Sequence, residues 1–239
     1  MVVKSELKLI KSLQQKKYRK EHGLFVVEGK KTLEELLDAS MAPYKLYATE
    51  PSELSLANTK AVRISDRELR QISSLKNPNG FLGVFHIPKV RAAFHSDWIL
   101  MLDGVQDPGN LGTIIRLCDW FGIANLICSP ETVDCYNPKV LQATMGSIAR
   151  VHVQYDSLES FLEATKLPVY GTFMDGISVH GQHLPKKGIL VMGNEGKGIS
   201  DAIAEHCAHR LAIPQFGKAT TESLNVATAT AILLHEIRR

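Results

Sequence analysis

The sequence predicts an α/β protein of two domains, and three observations support this. Short apolar runs that suit strands alternate with amphipathic segments that suit helices, as in layered α/β folds. The run Trp98–Leu102 is continuously apolar, which is typical of a strand buried on both faces of a parallel sheet. A polar, basic stretch without periodicity separates two such series. We therefore place a small domain at residues 1–90, a linker at 91–97 and a larger domain at 98–239.

The composition is that of an ordinary globular chain: 239 residues, 44% of them hydrophobic and 22% charged. No apolar run is long enough to span a membrane, and the charged N-terminus lacks the apolar centre of a signal peptide. The four cysteines show no CxxC spacing, so neither a disulfide framework nor a zinc site is expected. These features suit a reducing cytoplasm.

The positive charge is concentrated at the N-terminus. Residues 1–31 hold nine Lys or Arg and three acidic residues, a charge of +6, whereas the whole chain carries +3. A basic arm suits a polyanionic partner such as nucleic acid. The same pattern also describes an amphipathic helix with Leu7, Ile10 and Leu13 packed and the lysines in water. The two interpretations are compatible.

The first domain is expected to be a small α/β unit. Glycine, proline and asparagine residues separate its apolar runs, with a clear turn at 77–80. Strands are predicted at 24–27, 45–48, 61–64 and 81–87, and helices at 31–39 and 66–75.

The second domain is expected to be a parallel sheet with helices. Strands are predicted at 98–102, 124–128, 151–153, 169–172 and 189–192, with a loop at 103–110 and a helix at 111–121. The last of these strands runs into the glycine-rich segment 193–198, a layout that binds nucleotides at the ends of parallel strands. Neither GxGxxG nor GxxxxGK[ST] is present, which excludes the common dinucleotide and P-loop motifs. A structural turn remains the alternative, and the charge of Glu195 disfavours a phosphate ligand.

A third polar stretch lies near the C-terminus. The apolar run 211–213 reads as a strand that Pro214 and Gly217 end, and a helix to Arg238 follows. Strand, loop and polar helix start together suit ligand binding. The alternative is an ordinary helix capped by Glu222 or Ser223.

Three motifs, in this order, resemble those of the SpoU (TrmH-like) RNA 2′-O-ribose methyltransferases of the SPOUT superfamily. They are Asn110-Leu111-Gly112 with Arg116, then Gly193-Asn194-Glu195-Gly196 with Gly198, then Ile213-Pro214 with Ser223-Leu224-Asn225-Val226. At the N-terminus, residues 16–19, 25–29 and 78–81 resemble that family's RNA-binding domain, itself similar to a ribosomal protein. The resemblance covers nearly the whole chain.

The resemblance implies a catalytic α/β domain with a deep trefoil knot, a homodimer whose subunits share the active site, and no metal or membrane partner. The implied cofactor is S-adenosylmethionine, bound by Thr172, Gly193, Asn194, Gly198, Ile213, Pro214, Ser223, Leu224 and Asn225. The implied catalytic residues are Asn110, Arg116, Glu195, Ser223 and Asn225. The residues implied to contact RNA are Lys16, Lys17, Arg19, Lys20 and Arg116.

The implied reaction is methyl transfer to a ribose 2′-hydroxyl, in large-subunit ribosomal RNA. The alternatives are methylation of a tRNA ribose or of a base, and a non-catalytic RNA-binding protein of the same fold. Arg116 could act as a base or as an electrostatic clamp, or it could simply form an ion pair with Glu195. Gln215-Phe216 departs from the family pattern, in which a single apolar residue is commoner there.

Overall fold

The computed structural model describes residues 2–50, 60–88, 97–217 and 223–239. They divide into two compact units. The first contains the described residues before position 90 together with Asp134–Ala149, and the second contains the other described residues from Asp97 to Val133 and Arg150–Arg239. The segment 134–149 thus packs with the first unit, although the sequence analysis placed it within 98–239. All of the expected linker except Asp97 lies outside the described residues.

Helices and strands alternate along both units, as the sequence predicts. In chain order they are α1 (Lys4–Ser12), α2 (Lys16–His22), β1 (Leu24–Glu28), α3 (Lys30–Asp38), β2 (Pro43–Ala48), β3 (Val62–Arg63), α4 (Asp66–Ile72), β4 (Phe81–His86), β5 (Trp98–Leu102), α5 (Pro108–Trp120), β6 (Asn125–Cys128), α6 (Pro138–Thr144), β7 (His152–Tyr155), α7 (Leu158–Ala164), β8 (Val169–Ser178), β9 (Gly188–Met192), α8 (Asp201–Ala204), β10 (His209–Ala212) and α9 (Val226–Arg238). No helix in the described ranges combines the length and apolar character needed to cross a membrane.

The first unit is built on a mixed four-stranded sheet of order β1-β4-β2-β3. The alternation of side chains along β1 covers both faces of this sheet. Val26 packs into a core with Ile10 of α1 and Leu69 of α4. Phe25, on the opposite face, stacks against Phe85 and contacts the ring of Tyr136. Helices pack against this sheet, which makes the first unit a layered α/β domain, as the pattern of strands and helices predicts.

Arg19 joins the segment after β6 to the first unit. Its side chain is 3% exposed and forms an ion pair with Asp134. Its Nη1 donates to the carbonyl oxygens of Leu13 and Gln14 at 2.8 and 2.9 Å. A buried guanidinium needs such partners, since an unpaired charge in the interior is costly. We therefore assign Arg19 a structural role, and the prediction that it contacts RNA is not supported.

The second unit contains a six-stranded, fully parallel sheet of order β10-β8-β9-β5-β6-β7. β5 and β9 are central neighbours and are buried at every position, as their apolar sequences predict. Because they run in the same direction, the loops that follow them leave the same edge of the sheet. This brings the first two sequence motifs together.

Helix α5 begins earlier than the sequence analysis placed it. The predicted loop extended to Asn110, but Pro108 already occupies the first helical turn. The Asp107 side chain caps this end by accepting a hydrogen bond from the backbone N–H of Asn110 at 2.8 Å. Proline suits the first turn because it has no N–H to satisfy there.

Candidate active site

The loop after β9 folds back on itself tightly. Asn194 and Gly198 exchange two backbone hydrogen bonds, each of 2.9 Å. A Cβ atom at Gly193 would lie 2.2 Å from the carbonyl carbon of Gly198, so the close approach requires glycine at that position. The glycines of the second motif thus form a compact, rigid turn beside the end of β5.

Asn194 and Asp103 fasten this turn to the loop after β5. Asn194 Nδ2 donates to the Gly104 carbonyl oxygen at 2.7 Å, while its Oδ1 accepts from the backbone N–H of Gly196 at 2.9 Å. The Asp103 carboxylate accepts from the backbone N–H of Ser200 at 2.7 Å. The two motif loops are therefore held as one assembly, which fixes the position of Glu195.

A chain of three side chains connects the three sequence motifs. Asn110 Nδ2 donates to Glu195 Oε1 at 3.0 Å. Asn225 Nδ2 donates to Asn110 Oδ1 at 2.8 Å. Glu195 also accepts hydrogen bonds from the backbone N–H groups of Asp107 and Gln106, at 3.2 and 3.3 Å. The third motif, over a hundred residues further along the chain, is thereby joined to the start of α5.

The orientations of the Asn110 and Asn225 amides follow from the hydrogen bonds at the two ends of this network, at Glu195 and at the start of α9. An ionised carboxylate can only accept hydrogen bonds, so Asn110 must present its NH₂ group to Glu195 and its oxygen to Asn225. Asn225 Oδ1 independently accepts from the backbone N–H groups of Ala227 and Thr228, at 3.0 and 3.2 Å, which caps α9. That leaves its NH₂ group for Asn110. The contacts with Glu195 and with the backbone of α9 therefore require the same orientation of the two amides.

The hydrogen bonds to Glu195 favour its charged form. Partial burial raises the pKa of this carboxyl, and the hydrogen bonds from Asn110 and from backbone N–H groups, including those of Asp107 and Gln106, lower it. The net result is a pKa below the usual value for glutamate. Glu195 is thus an ionised acceptor at neutral pH, which suits positioning and does not suit donating a proton.

A pocket of about 460 Å³ opens beside this network. The residues that line it come from β8, from the ends of β9 and β10 and the loops that follow them, from the segment before α9, and from α9 itself. They are Thr172, Phe173, Met174, Met192, Gly193, Asn194, Glu195, Gly196, Lys197, Gly198, Leu211, Ala212, Ile213, Pro214, Gln215, Ser223, Leu224, Val226, Ala229 and Leu233. The lining combines apolar side chains with exposed backbone groups.

The predicted cofactor residues all line this pocket except Asn225. Asn225 instead uses its amide for the helix cap and the link to Asn110, so its place in the site is beside the pocket. Phe173 and Met174 also line the pocket and were not among the predicted cofactor residues. They belong to a part of β8 that leaves the regular pairing with β10, and no local sequence signal marks such a departure.

Arg116 stands apart from the pocket. It is exposed on α5 and forms no hydrogen bond or ion pair with any described residue, so the ion pair with Glu195 that sequence analysis considered is not formed. Six residues along a helix separate it from Asn110, about 9 Å in rise and roughly 120° in direction. Within one chain, the structure therefore brings together Asn110, Glu195 and Asn225 and leaves Arg116 outside that cluster.

Ser223 lines the pocket and is exposed there. It does not cap α9, because Asn225 takes that role. Glu222, the other cap that sequence analysis considered, lies outside the described residues. In the ranges that the structure describes, no group of three or more His, Cys, Asp or Glu side chains is arranged to hold a metal ion.

Comparisons with known proteins agree with this geometry. Residues 97–235 match the SpoU rRNA Methylase family, and residues 4–83 match the MRM3-like substrate binding domain. The chain is 32% identical over 237 residues to the 23S rRNA (guanosine(2553)-2′-O)-methyltransferase RlmP of Bacillus subtilis, covering 95% of this chain and 94% of that protein.

Solved structures show the same fold over the whole chain. A TrmH-family protein from Porphyromonas gingivalis has a TM-score of 0.90 and 37% identity, covering 100% of this chain and 98% of the other. The AdoMet-bound rRNA methyltransferase from Sinorhizobium meliloti has a TM-score of 0.86 and 29% identity, covering 100% and 96%. The chain, in which three distant motifs meet around one pocket, belongs to the SpoU rRNA methylase family.

Proposed function

We propose that this protein transfers a methyl group from S-adenosylmethionine to a ribose 2′-hydroxyl of large-subunit ribosomal RNA. The observation that carries this proposal is the pocket beside the Glu195–Asn110–Asn225 chain, in which all three family motifs take part. The relative RlmP, whose name states a 23S rRNA 2′-O activity, matches nearly the full length of both chains.

The pocket suits S-adenosylmethionine in size and chemistry. Its volume of about 460 Å³ lies within the range of small-molecule sites. Leu211, Leu224 and Leu233 offer apolar surface for an adenine ring, and the loop after β9 offers backbone polar groups. The negative charge of Glu195 at the pocket wall suits a cationic ligand. When bound, the cofactor supplies an electrophilic methyl group on a sulfonium sulfur.

In this proposal the polar chain positions the site and Arg116 acts on the RNA. Glu195, Asn110 and Asn225 are hydrogen-bonded to one another, so they hold the loops of the three motifs in fixed positions. The exposed guanidinium of Arg116 has no partner among the described residues and can bind a phosphate through bidentate hydrogen bonds. It would stabilise the alkoxide that forms as the 2′-hydroxyl loses its proton to phosphate or water.

We further propose a homodimer in which Arg116 of one subunit serves the pocket of the other. The position of Arg116 away from the pocket of its own chain supports this arrangement. Symmetric pairs of this kind are the commonest oligomers.

The exposed lysines of the first unit suit binding of the RNA backbone. Lys16, Lys17 and Lys20 are exposed on α2, in the region that matches the MRM3-like substrate binding domain. This match also favours ribosomal RNA over tRNA. The TrmH/SpoU tRNA modifying enzyme from A. aeolicus matches only 60% of this chain, with a TM-score of 0.53.

Methylation of purified RNA tests the proposal. The protein is incubated with S-adenosylmethionine labelled in its methyl group and with either large-subunit rRNA or total tRNA, and methylated riboses are mapped by alkaline resistance. Label at a ribose of the rRNA is expected. Label on tRNA alone, or on a base, would contradict the substrate, and cofactor binding without transfer to either RNA would contradict an enzyme.

Arg116 variants test its role within the same assay. Arg116→Ala is expected to lose nearly all transfer while binding S-adenosylmethionine normally. Arg116→Lys keeps the positive charge but loses the bidentate donor geometry. If Arg116 acts as an electrostatic clamp, this variant should keep partial activity with an unchanged pH–rate profile. A rate for Arg116→Lys that rises above wild type at high pH would instead indicate that the residue acts as the base.

A further inference from the structure

One wall of the pocket is formed by part of the segment 172–176 of β8, which leaves the parallel pairing with β10 and is called the excursion below. β10 pairs with β8 at Tyr170 and Gly171, and then again at Ile177 and Ser178, while its own residues stay consecutive. The intervening residues 172–176 therefore have no partners in the pairing with β10. Three of them, Thr172, Phe173 and Met174, line the pocket.

The end of the excursion returns very close to β10. A Cβ atom at Gly176 would lie 2.6 Å from the carbonyl carbon of Leu211 and 2.9 Å from that of Arg210. Only glycine permits this backbone approach. The return point of the excursion is thus fixed, and the positions of the side chains before it depend on other contacts.

The Phe173 ring lies between the core and one charged side chain. On the core side, a Cβ at Gly171 would lie 2.5 Å from the ring and 2.6 Å from Cys207 Sγ, so the ring rests over Gly171 beside Cys207. On another side, the Arg210 guanidinium carbon lies 3.5 Å from the ring centroid. This distance is that of a stacked cation–π contact.

Arg210 also holds the next part of the excursion. Its Nη2 donates to Asp175 Oδ1 at 2.7 Å. Arg210 thus contacts residues on both sides of Met174 from the edge strand of the sheet. Arg210 itself does not line the pocket.

We propose that Arg210 is a positioning residue for cofactor binding, which fixes the pocket wall by stacking on Phe173 and pairing with Asp175. This inference rests on the proposed function, because it assigns the pocket to S-adenosylmethionine. Loss of the Arg210 side chain would let residues 172–176 sample other positions, and binding would then carry the cost of ordering them.

Calorimetric titration with S-adenosylmethionine, without RNA, tests the proposal. Arg210→Met, which keeps the aliphatic stem, is expected to bind about tenfold more weakly, since the stack and the exposed pair are each modest interactions. Arg210→Lys should be intermediate, because it can pair with Asp175 but cannot stack as a plane. Thermal unfolding of each variant checks that it is folded.

Arg150 provides a matched control. Its side chain is 41% exposed and pairs with Asp119 in the same unit, and neither residue lines the pocket; the Arg210 side chain is 43% exposed. Arg150→Met should bind S-adenosylmethionine as wild type does. Equal loss in Arg150→Met and Arg210→Met would show a general effect of removing an arginine and would overturn the assignment.

A double-mutant cycle shows whether Arg210 acts through the ring. In a Phe173→Leu background, Arg210→Met should weaken binding by much less than tenfold, because the stacking partner is already gone. Steady-state assays should show a raised KM for S-adenosylmethionine with unchanged kcat and unchanged KM for RNA. Additive losses in the cycle, or wild-type affinity in Arg210→Met, would overturn the proposal. If the wild type itself fails to bind S-adenosylmethionine, the proposed function fails, and this inference with it.

Discussion

Asn225 performs two tasks with the two ends of one amide. Its oxygen caps α9 by accepting from two backbone N–H groups, and its nitrogen donates to Asn110. A cap oxygen could come from several residue types, but the second task needs a donor at the same position. Only an amide of this length supplies both, which explains why the motif has asparagine where serine or aspartate would cap equally well.

Two substitutions separate these tasks. Asn225→Ala removes both, so it should lose activity and about 1–2 kcal/mol of the free energy of unfolding. Asn225→Asp keeps the cap but cannot donate, so it should retain stability and lose most activity. Chemical denaturation and the methylation assay measure the two effects. Full activity in Asn225→Asp would show that the link to Asn110 is dispensable.

Glu195 gives the site a pH dependence of known sign. Its pKa is lowered in the folded protein, so its charge stabilises the fold above the unfolded pKa of about 4.3, and this stabilisation is lost as the pH falls through the folded pKa. Wild type should therefore be more stable than Glu195→Gln at pH 7, and the difference should shrink below about pH 4. Thermal unfolding across this range measures it. Glu205→Gln, at an exposed glutamate, is the control, and a difference that grows on acidification would contradict the assignment.

At the scale of elements, the turn 193–198 depends on one glycine more than on the others. A Cβ at Gly193 would meet the backbone of Gly198 and Ile199 at 2.2–2.3 Å, whereas a Cβ at Gly196 would meet only the Asn194 side chain, at 3.7 Å. Gly193→Ala should thus destabilise the protein by about 1–3 kcal/mol, as overpacking does. Gly196→Ala should unfold within a few degrees of wild type. Equal melting temperatures for the two variants would show that the turn opens without cost.

Local patterns in the sequence predicted most elements, and long-range packing decided the rest. The continuous apolar run Trp98–Leu102 is a strand buried on both faces, and the helix at the third motif ends at Arg238 as expected. The family that the three motifs suggested is confirmed. By contrast, the excursion at residues 172–176 depends on register against β10, which no local periodicity encodes. The trefoil knot stays a prediction of the family resemblance.

Burial decided which charged residues remain candidates for function. Arg19 belongs to the basic arm in sequence, yet the partner that buries it, Asp134, lies 115 residues away. Composition cannot reveal such a partner, so sequence analysis grouped Arg19 with the lysines. The chain Glu195–Asn110–Asn225 likewise joins distant residues, but there the motif pattern had already named all three.

At the scale of the whole molecule, the packing of 134–149 changes how RNA binding is best tested. Deleting residues 1–90 would remove the partners of that segment, so charge substitution is the cleaner experiment. Lys16, Lys17 and Lys20 changed together to Glu should weaken RNA binding and reduce the slope of log affinity against log salt by about 2. The exposed Lys166, Lys186 and Lys187 of the second unit, changed in the same way, form the control for net charge. Equal slopes in the two triple variants would remove α2 from the RNA interface.

Mixed dimers test whether two subunits build each active site. The protein should first show a dimer mass by light scattering, and a monomer at micromolar concentration would end the proposal. Subunits carrying Arg116→Ala and Asn225→Asp, each expected to have little activity alone, are then co-expressed with different tags, and the heterodimer is purified through both. If Arg116 serves the pocket of the other subunit, one site of the heterodimer combines both substitutions and the other has neither.

The heterodimer should then recover about half of the wild-type activity per dimer, because one of its two symmetry-related sites is intact. If Arg116 serves the pocket of its own chain, every site carries one substitution and no activity returns. A dimer of two differently tagged Arg116→Ala subunits controls for the purification and should stay inactive. Recovery of activity would therefore support the proposal that Arg116, which does not line the pocket of its own chain, completes the site of the other subunit.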